Sequence, residues 1–151
     1  MPSLELVNRQ RKKRLDLARF RAFAVPAMEK VSKMVTAVPL PEVIIVVFVS
    51  DARIKGIHRE FMAVDGSTDV ITFQHGEIII SVETAERQAR GLSSSFSREL
   101  RLYFVHGLLH LAGLDDLTED GFTKMAAAQE QIVREIEEVS VSVSVKPPPG
   151  M

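Results

Sequence analysis

The chain has 151 residues, with 46% hydrophobic and 26% charged residues, and a formal net charge of −1. That length fits one domain, and that composition excludes a disordered chain. The absence of cysteine rules out disulfides, thiolate zinc sites, iron–sulfur clusters and cysteine nucleophiles, so a metal here must rest on His, Asp, Glu or backbone oxygen. The balance of charge is uneven: residues 1–75 carry 12 Lys/Arg against 8 Asp/Glu, and residues 76–151 carry 7 against 12.

In chain order, Leu4 to Asn8 alternates and predicts a short strand. The basic run Arg9, Arg11, Lys12, Lys13, Arg14 follows and offers a phosphate-contacting surface; a solvated helix face or loop edge fits the same run. The N-terminus is basic but lacks a long apolar stretch, so no signal peptide is expected. Apolar residues at helical spacing (Leu17, Phe20, Val25, Met28, Val31, Val35) predict a helix over about 16–35, kinked or split at Pro26. Glu42 to Ser50 is β-branched and reads as a strand buried on both faces. Its seven-residue apolar core, Val43 to Val49, is far short of the roughly 20 residues that span a bilayer, and the protein is expected to be soluble and cytoplasmic.

Asp51 predicts a helix cap, with the helix running to about Phe61. Asp69–Phe73 and Glu77–Val82 predict two strands joined by a short connection. Thr84–Arg90 predicts a short helix, and the serines 93–95 open a helix from Phe96 to about Ala112, stopped by Gly113. Thr118 caps a last helix to about Val139; Met125 and Leu117 read as core, and Glu130, Glu135, Glu137 and Glu138 as a solvated acidic face. Residues 140–151, ending in Pro-Pro-Pro-Gly-Met, are expected to form a flexible tail after a single domain over 1–139. The order β-α-β-α-β-β-α-α-α predicts a single-layer domain of the α/β class, α+β-like, with about four strands and about five helices.

The informative segment is Phe104 to Asp116. His106 and His110 lie four apart on an apolar helix, so both rings leave one face and can share an ion. Gly113 lets the chain turn back, and Asp115 or Asp116 can supply a third ligand, as in zinc sites with an open position. Satisfied core histidines are the plainer alternative. Gly107 stands where metalloproteases carry their catalytic Glu, which argues against peptide substrates. His58 and His75 read as packing and turn residues.

His106-Gly-Leu-Leu-His110-Leu-Ala-Gly-Leu-Asp-Asp116 resembles the signature H-G-x-L-H-L-x-G-Y-D-H of the bacterial YbeY family. Thr68 to Phe73 is similar to that family's T-D-V-L-S-F strand, Gly76 to Ser81 to its G-D-I-x-I-S strand, and Ser95 to Leu100 to the lead-in of its histidine helix; Val7 to Gln10 also fits. The likeness covers about residues 4–138. It implies a small mixed sheet flanked by helices, one zinc-like ion per chain (Zn2+, with Ni2+ as another candidate), and endoribonuclease action on single-stranded RNA in ribosomal RNA maturation and quality control. It also implies the small ribosomal subunit and an Era-type GTPase as partners, with no membrane or DNA.

Carried onto this chain, the resemblance assigns the ion to His106, His110 and Asp116, where Asp116 replaces the family's third His. It makes Asp69 and Asp115 candidates to hold the ligating rings. The family's phosphate-binding Arg falls at Met62, leaving Arg59, one turn earlier, and His110 as the candidate catalytic residues. These departures also allow a ribosome-assembly or RNA-binding factor with a structural or vestigial metal. A third reading keeps the metal-dependent hydrolase and changes the substrate. The connection between Phe73 and Gly76 is short and narrows one wall of any groove.

Overall fold

The computed structural model describes residues 2–34, 36, 38–62 and 69–144, with backbone alone for 61, 62 and 139–144. The elements follow the expected order: β1 (Ser3–Asn8), α1 (Leu17–Lys33), β2 (Val43–Val49), α2 (Asp51–Met62), β3 (Val70–Phe73), β4 (Glu77–Ser81), α3 (Val82–Gly91), α4 (Phe96–Leu111) and α5 (Glu119–Ser144). The strands form one mixed sheet in the order β1-β2-β4-β3. β1, β2 and β4 are parallel, with Leu4 opposite Ile44 and Phe48 opposite Ile80, and β3 closes antiparallel against β4. The hairpin turns at Gly76, whose φ of 123° suits glycine; a Cβ there would also collide with the Val43 carbonyl.

β2 is fully buried on one face and only partly on the other, where Val43 is exposed and Ile45 and Val47 are half-buried. Ile44, Val46 and Phe48 join Ile78 and Ile80 of β4 in the main core beneath α1, α4 and α5. Val49 turns the other way and packs with Ile54 and Ile57 of α2 and with Ile71 and Ile79. Phe20 of α1 ties the main core together, edge-on to Phe48 at 5.2 Å and to Phe104 of α4 at 5.4 Å between centroids.

Several local expectations are corrected. Pro26 does not split α1, which continues to Lys33. Buried Phe23, Ala24, Ala27 and Met28 flank it on both sides, and this packing outweighs one lost backbone hydrogen bond. Asp51 is not the cap of α2: Ser50 Oγ accepts from the Arg53 N–H at 3.2 Å. Asp51 instead takes the Ser81 and Thr84 hydroxyls and the Arg87 guanidinium, which joins α2 to α3. Burial opposes ionisation of its carboxyl, but these donors outweigh it and hold the pKa below the usual range.

Leu117 is not core but 88% exposed, whereas Met125 is buried. α5 runs past Val139 to Ser144. The remaining tail, 145–151, lies outside the described residues, as do Val35, Thr68 and the side chain of Met62.

Candidate metal centre

α4 carries the site, and its sequence explains why. Ser95 caps it, accepting the Arg98 N–H at 3.0 Å. Leu100, Leu102, Phe104, Val105, Leu108, Leu109 and Leu111 are buried and lock its rotation against sheet and helices. Gly107 lies so close to β4 that an added Cβ would meet the Ile78 side chain at 2.8–3.1 Å. The residue after His106 is therefore glycine because the helix presses on the sheet there.

At the C-terminal end the Ala112 N–H returns to Leu108 O, Gly113 N–H to His110 O and Leu114 N–H to Leu109 O. Gly113 has φ 98°, the left-handed stop that glycine supplies. Asp115 Oδ1 then accepts the Leu117 N–H at 3.1 Å, and Thr118 Oγ1 accepts the Gly121 N–H at 3.0 Å, starting α5. This double turn swings Asp116 back over the end of α4.

The three donor atoms meet there. His106 Nε2 and His110 Nε2 are 3.0 Å apart. Asp116 Oδ2 lies 3.7 Å from His106 Nε2 and Asp116 Oδ1 lies 3.7 Å from His110 Nε2, and one donor atom from each residue falls within 4.8 Å of the others. All three side chains are partly exposed, at 22–32%.

The tautomers fit a cation. Gln129 Oε1 is an acceptor, so His106 Nδ1–H donates to it at 3.0 Å, and the Nε2 lone pair is left facing the centre. His110 Nε2 faces His106 Nε2 across the same point. Two imidazole nitrogens and a carboxylate thus converge on one point, an arrangement able to hold a cation. Nitrogens bound to one tetrahedral ion at about 2.0–2.1 Å lie about 3.3 Å apart, a value bracketed by the 3.0 and 3.7 Å seen here. Burial and then the His106 charge push the His110 pKa down, and Asp116 opposes them; the neutral, ligating form is favoured.

The remaining candidates are spread over the fold. Asp69 stands at the start of β3, receives the Val70 N–H at 2.8 Å and shares a cavity with His106 and Tyr103. Asp115 shapes the turn. The residue seen against His106 Nδ1 is Gln129, which sequence reasoning missed. Arg59 is an exposed residue of α2, the helix on the opposite face of the sheet from α4.

The basic run forms the loop after β1, near the N-terminal end of α4 rather than at the histidines. Lys13 pairs with Glu86 at 3.1 Å and sits over the Phe96 ring. Arg14 lines a small cavity with Phe96 and Arg101. His75 stacks on Phe73 and pairs with Glu77 inside the β3–β4 hairpin, and His58 is half-buried on α2.

Comparison with known proteins agrees with this geometry. The sequence profile described as Endoribonuclease YbeY matches residues 5–137. The chain is 37% identical to the endoribonuclease YbeY of Heliobacterium modesticaldum, covering 58% of this chain and 66% of that protein. It is 40% identical to that of Moorella thermoacetica, covering 56% and 67%. The matches thus span about two thirds of these relatives' length. A solution structure from Thermotoga maritima superposes with a TM-score of 0.65 at 26% identity, covering 98% of this chain and 99% of that one. With a profile match across most of its length and a shared fold, the chain belongs to the endoribonuclease YbeY family.

Proposed function

We propose that this chain is a metal-dependent endoribonuclease that cuts single-stranded RNA and serves ribosomal RNA maturation and quality control in the cytoplasm, in contact with the small ribosomal subunit and an Era-type GTPase. The observation that carries the metal-dependent part is the meeting of His106, His110 and Asp116 at one point. The RNA substrate is supported by the activity for which the relatives are named.

In this reading His106 and His110 hold one ion, Zn2+ by donor type, and Asp116 closes the third position. When bound, the ion supplies polarisation of a phosphodiester oxygen and a lowered pKa for water. Gln129 fixes the His106 tautomer through Nδ1 and so keeps the ligating nitrogen aimed inward. The partial exposure of all three side chains leaves a side open to a strand. Arg9, Arg11, Lys12, Lys13 and Arg14 meet backbone phosphate away from the cut, and Arg59 is a second candidate phosphate contact. A carboxylate in place of a third imidazole adds negative charge, which makes the bound ion a weaker Lewis acid.

The test is cleavage of an end-labelled single-stranded RNA by the purified chain, with and without chelator, beside His110→Ala. Cleavage lost in both the chelated and the His110→Ala samples is expected; equal cleavage in all three samples overturns the reading. Elemental analysis should give one metal per wild-type chain and a clear deficit in Asp116→Ala. Full occupancy in that variant removes Asp116 from the site. A chain that binds metal yet leaves RNA intact would be the assembly factor instead.

A further inference from the structure

The two histidines continue a longer polar line. Glu99, Tyr103, His106 and His110 stand at spacings of four, three and four on α4, so they share one face of a helix whose other positions are mostly buried and apolar. Glu99 is 4% exposed and Tyr103 is 8% exposed, both more than nine-tenths buried. Beside this line lies a cavity of about 400 Å³, walled by Asp69, Glu99, Tyr103, His106 and Gln129, with the exposed Leu92 at its rim. His106 is the partition: its Nδ1 edge is held by Gln129 on the cavity wall, and its Nε2 edge faces the metal centre.

Two facts define what the cavity takes. Its formal charges are three acids, Asp69, Glu99 and Glu130, against one base, Arg98, which is already paired with Glu130 at 2.7 Å. A phosphate is repelled there. The hydroxyl of Tyr103 is buried without a hydrogen-bond partner among the described residues, a cost that a polar ligand relieves. Burial and the charges of Asp69 and Glu99 keep that hydroxyl protonated, so it can both donate and accept.

We propose that this cavity is a nucleobase subsite, which seats a guanine of the RNA strand next to the phosphate at the metal centre. The inference rests on the RNA-cleaving reading above. Guanine is the base whose Watson–Crick edge carries two adjacent donors, suited to a carboxylate, with an acceptor beside them for a hydroxyl. Uracil offers one donor between two acceptors and fits poorly. The volume falls within the range of small-ligand pockets, and Leu92 gives the ring an apolar rim.

Tyr103 is also the sole tyrosine in a chain without tryptophan, so ring-13C-tyrosine labelling yields one reporter. The full chain, with and without chelator, is titrated with the ribotrinucleotides UGU and UUU, by NMR and by calorimetry. UGU is expected to shift the Tyr103 signal saturably and to bind about tenfold tighter than UUU. Tyr103→Phe, checked for an unchanged melting point, should shrink that preference to less than twofold. Equal binding of UGU and UUU by the wild-type chain, or a Tyr103 signal unmoved by UGU, overturns the subsite. Because cleavage is not the readout, an inactive chain that prefers UGU upholds the subsite and sinks the nuclease reading. A cleaving chain without the preference sinks the subsite alone.

Discussion

At the scale of single residues, Gly107 and Gln129 set the limits of the centre. Gly107→Ala adds a methyl into Ile78, a fully buried β-branched side chain. The overpacking cost of about 1–3 kcal/mol exceeds the gain of at most about 1 kcal/mol from helix propensity. Thermal melts should therefore show a destabilised variant; an alanine that raises the melting point would refute the close approach of α4 to β4. The glycine was visible in the sequence as a missing catalytic Glu, but its cause was not, because the contact joins residues 29 positions apart. Gln129 left a fainter signal. It stands in the seam Met125, Ile132, Ile136 that α5 turns to the core, a polar side chain among apolar ones, and its partner lies on another helix.

At the scale of elements, α5 shows where charge patterning misleads. Its glutamates read as a solvated face, yet three of them are ion pairs to other helices. Glu130 takes Arg98 of α4, Glu137 lies between Arg98 and Arg101, and Glu135 takes Lys30 of α1. The acidic row on α5 and the basic residues on α1 and α4 were each legible; their facing was not, since it depends on how the three helices pack on one another.

The Arg98 hydrogen bond, opposed by burial, draws the Glu130 pKa below its ordinary 4.5. Its stabilisation is thus present above about pH 4.5 and fades as pH falls through the depressed folded value. Glu130→Gln should melt below wild type at pH 7, by less than about 1 kcal/mol because the pair is half-exposed, and the gap should narrow steadily as pH falls below 4.5. A gap that does not change with pH would remove the ion pair as its source.

At the scale of the whole molecule, the element order and the strand β2 were legible because hydrophobic period and β-branching are local properties. The cluster of His106, His110 and Asp116 was legible because two of its residues share a helix face and a glycine follows them. What stayed hidden was which end of α4 the basic loop meets, a matter of tertiary placement. Since the centre joins α4 to the turn before α5, an ion bound there stabilises the fold as a whole. Zn2+ at a hundred times its Kd adds about 2.7 kcal/mol, or roughly 10 °C in melting temperature for a chain of this size. Chelator should reverse the rise, and Asp116→Ala should show a smaller one; a melting point indifferent to zinc would count against the centre.

The left-handed stop at Gly113 carries a last consequence. The two histidines are fixed to a helix clamped on nearly every other side, whereas the aspartate arrives on a short turn that pivots about a glycine. The ligand set is therefore split between a packed helix face and a turn whose path depends on one glycine. An exchange of Gly113 for a residue that resists positive φ would redirect the turn that carries Asp116 and leave the two imidazoles in place, turning a three-point grip into a two-point one.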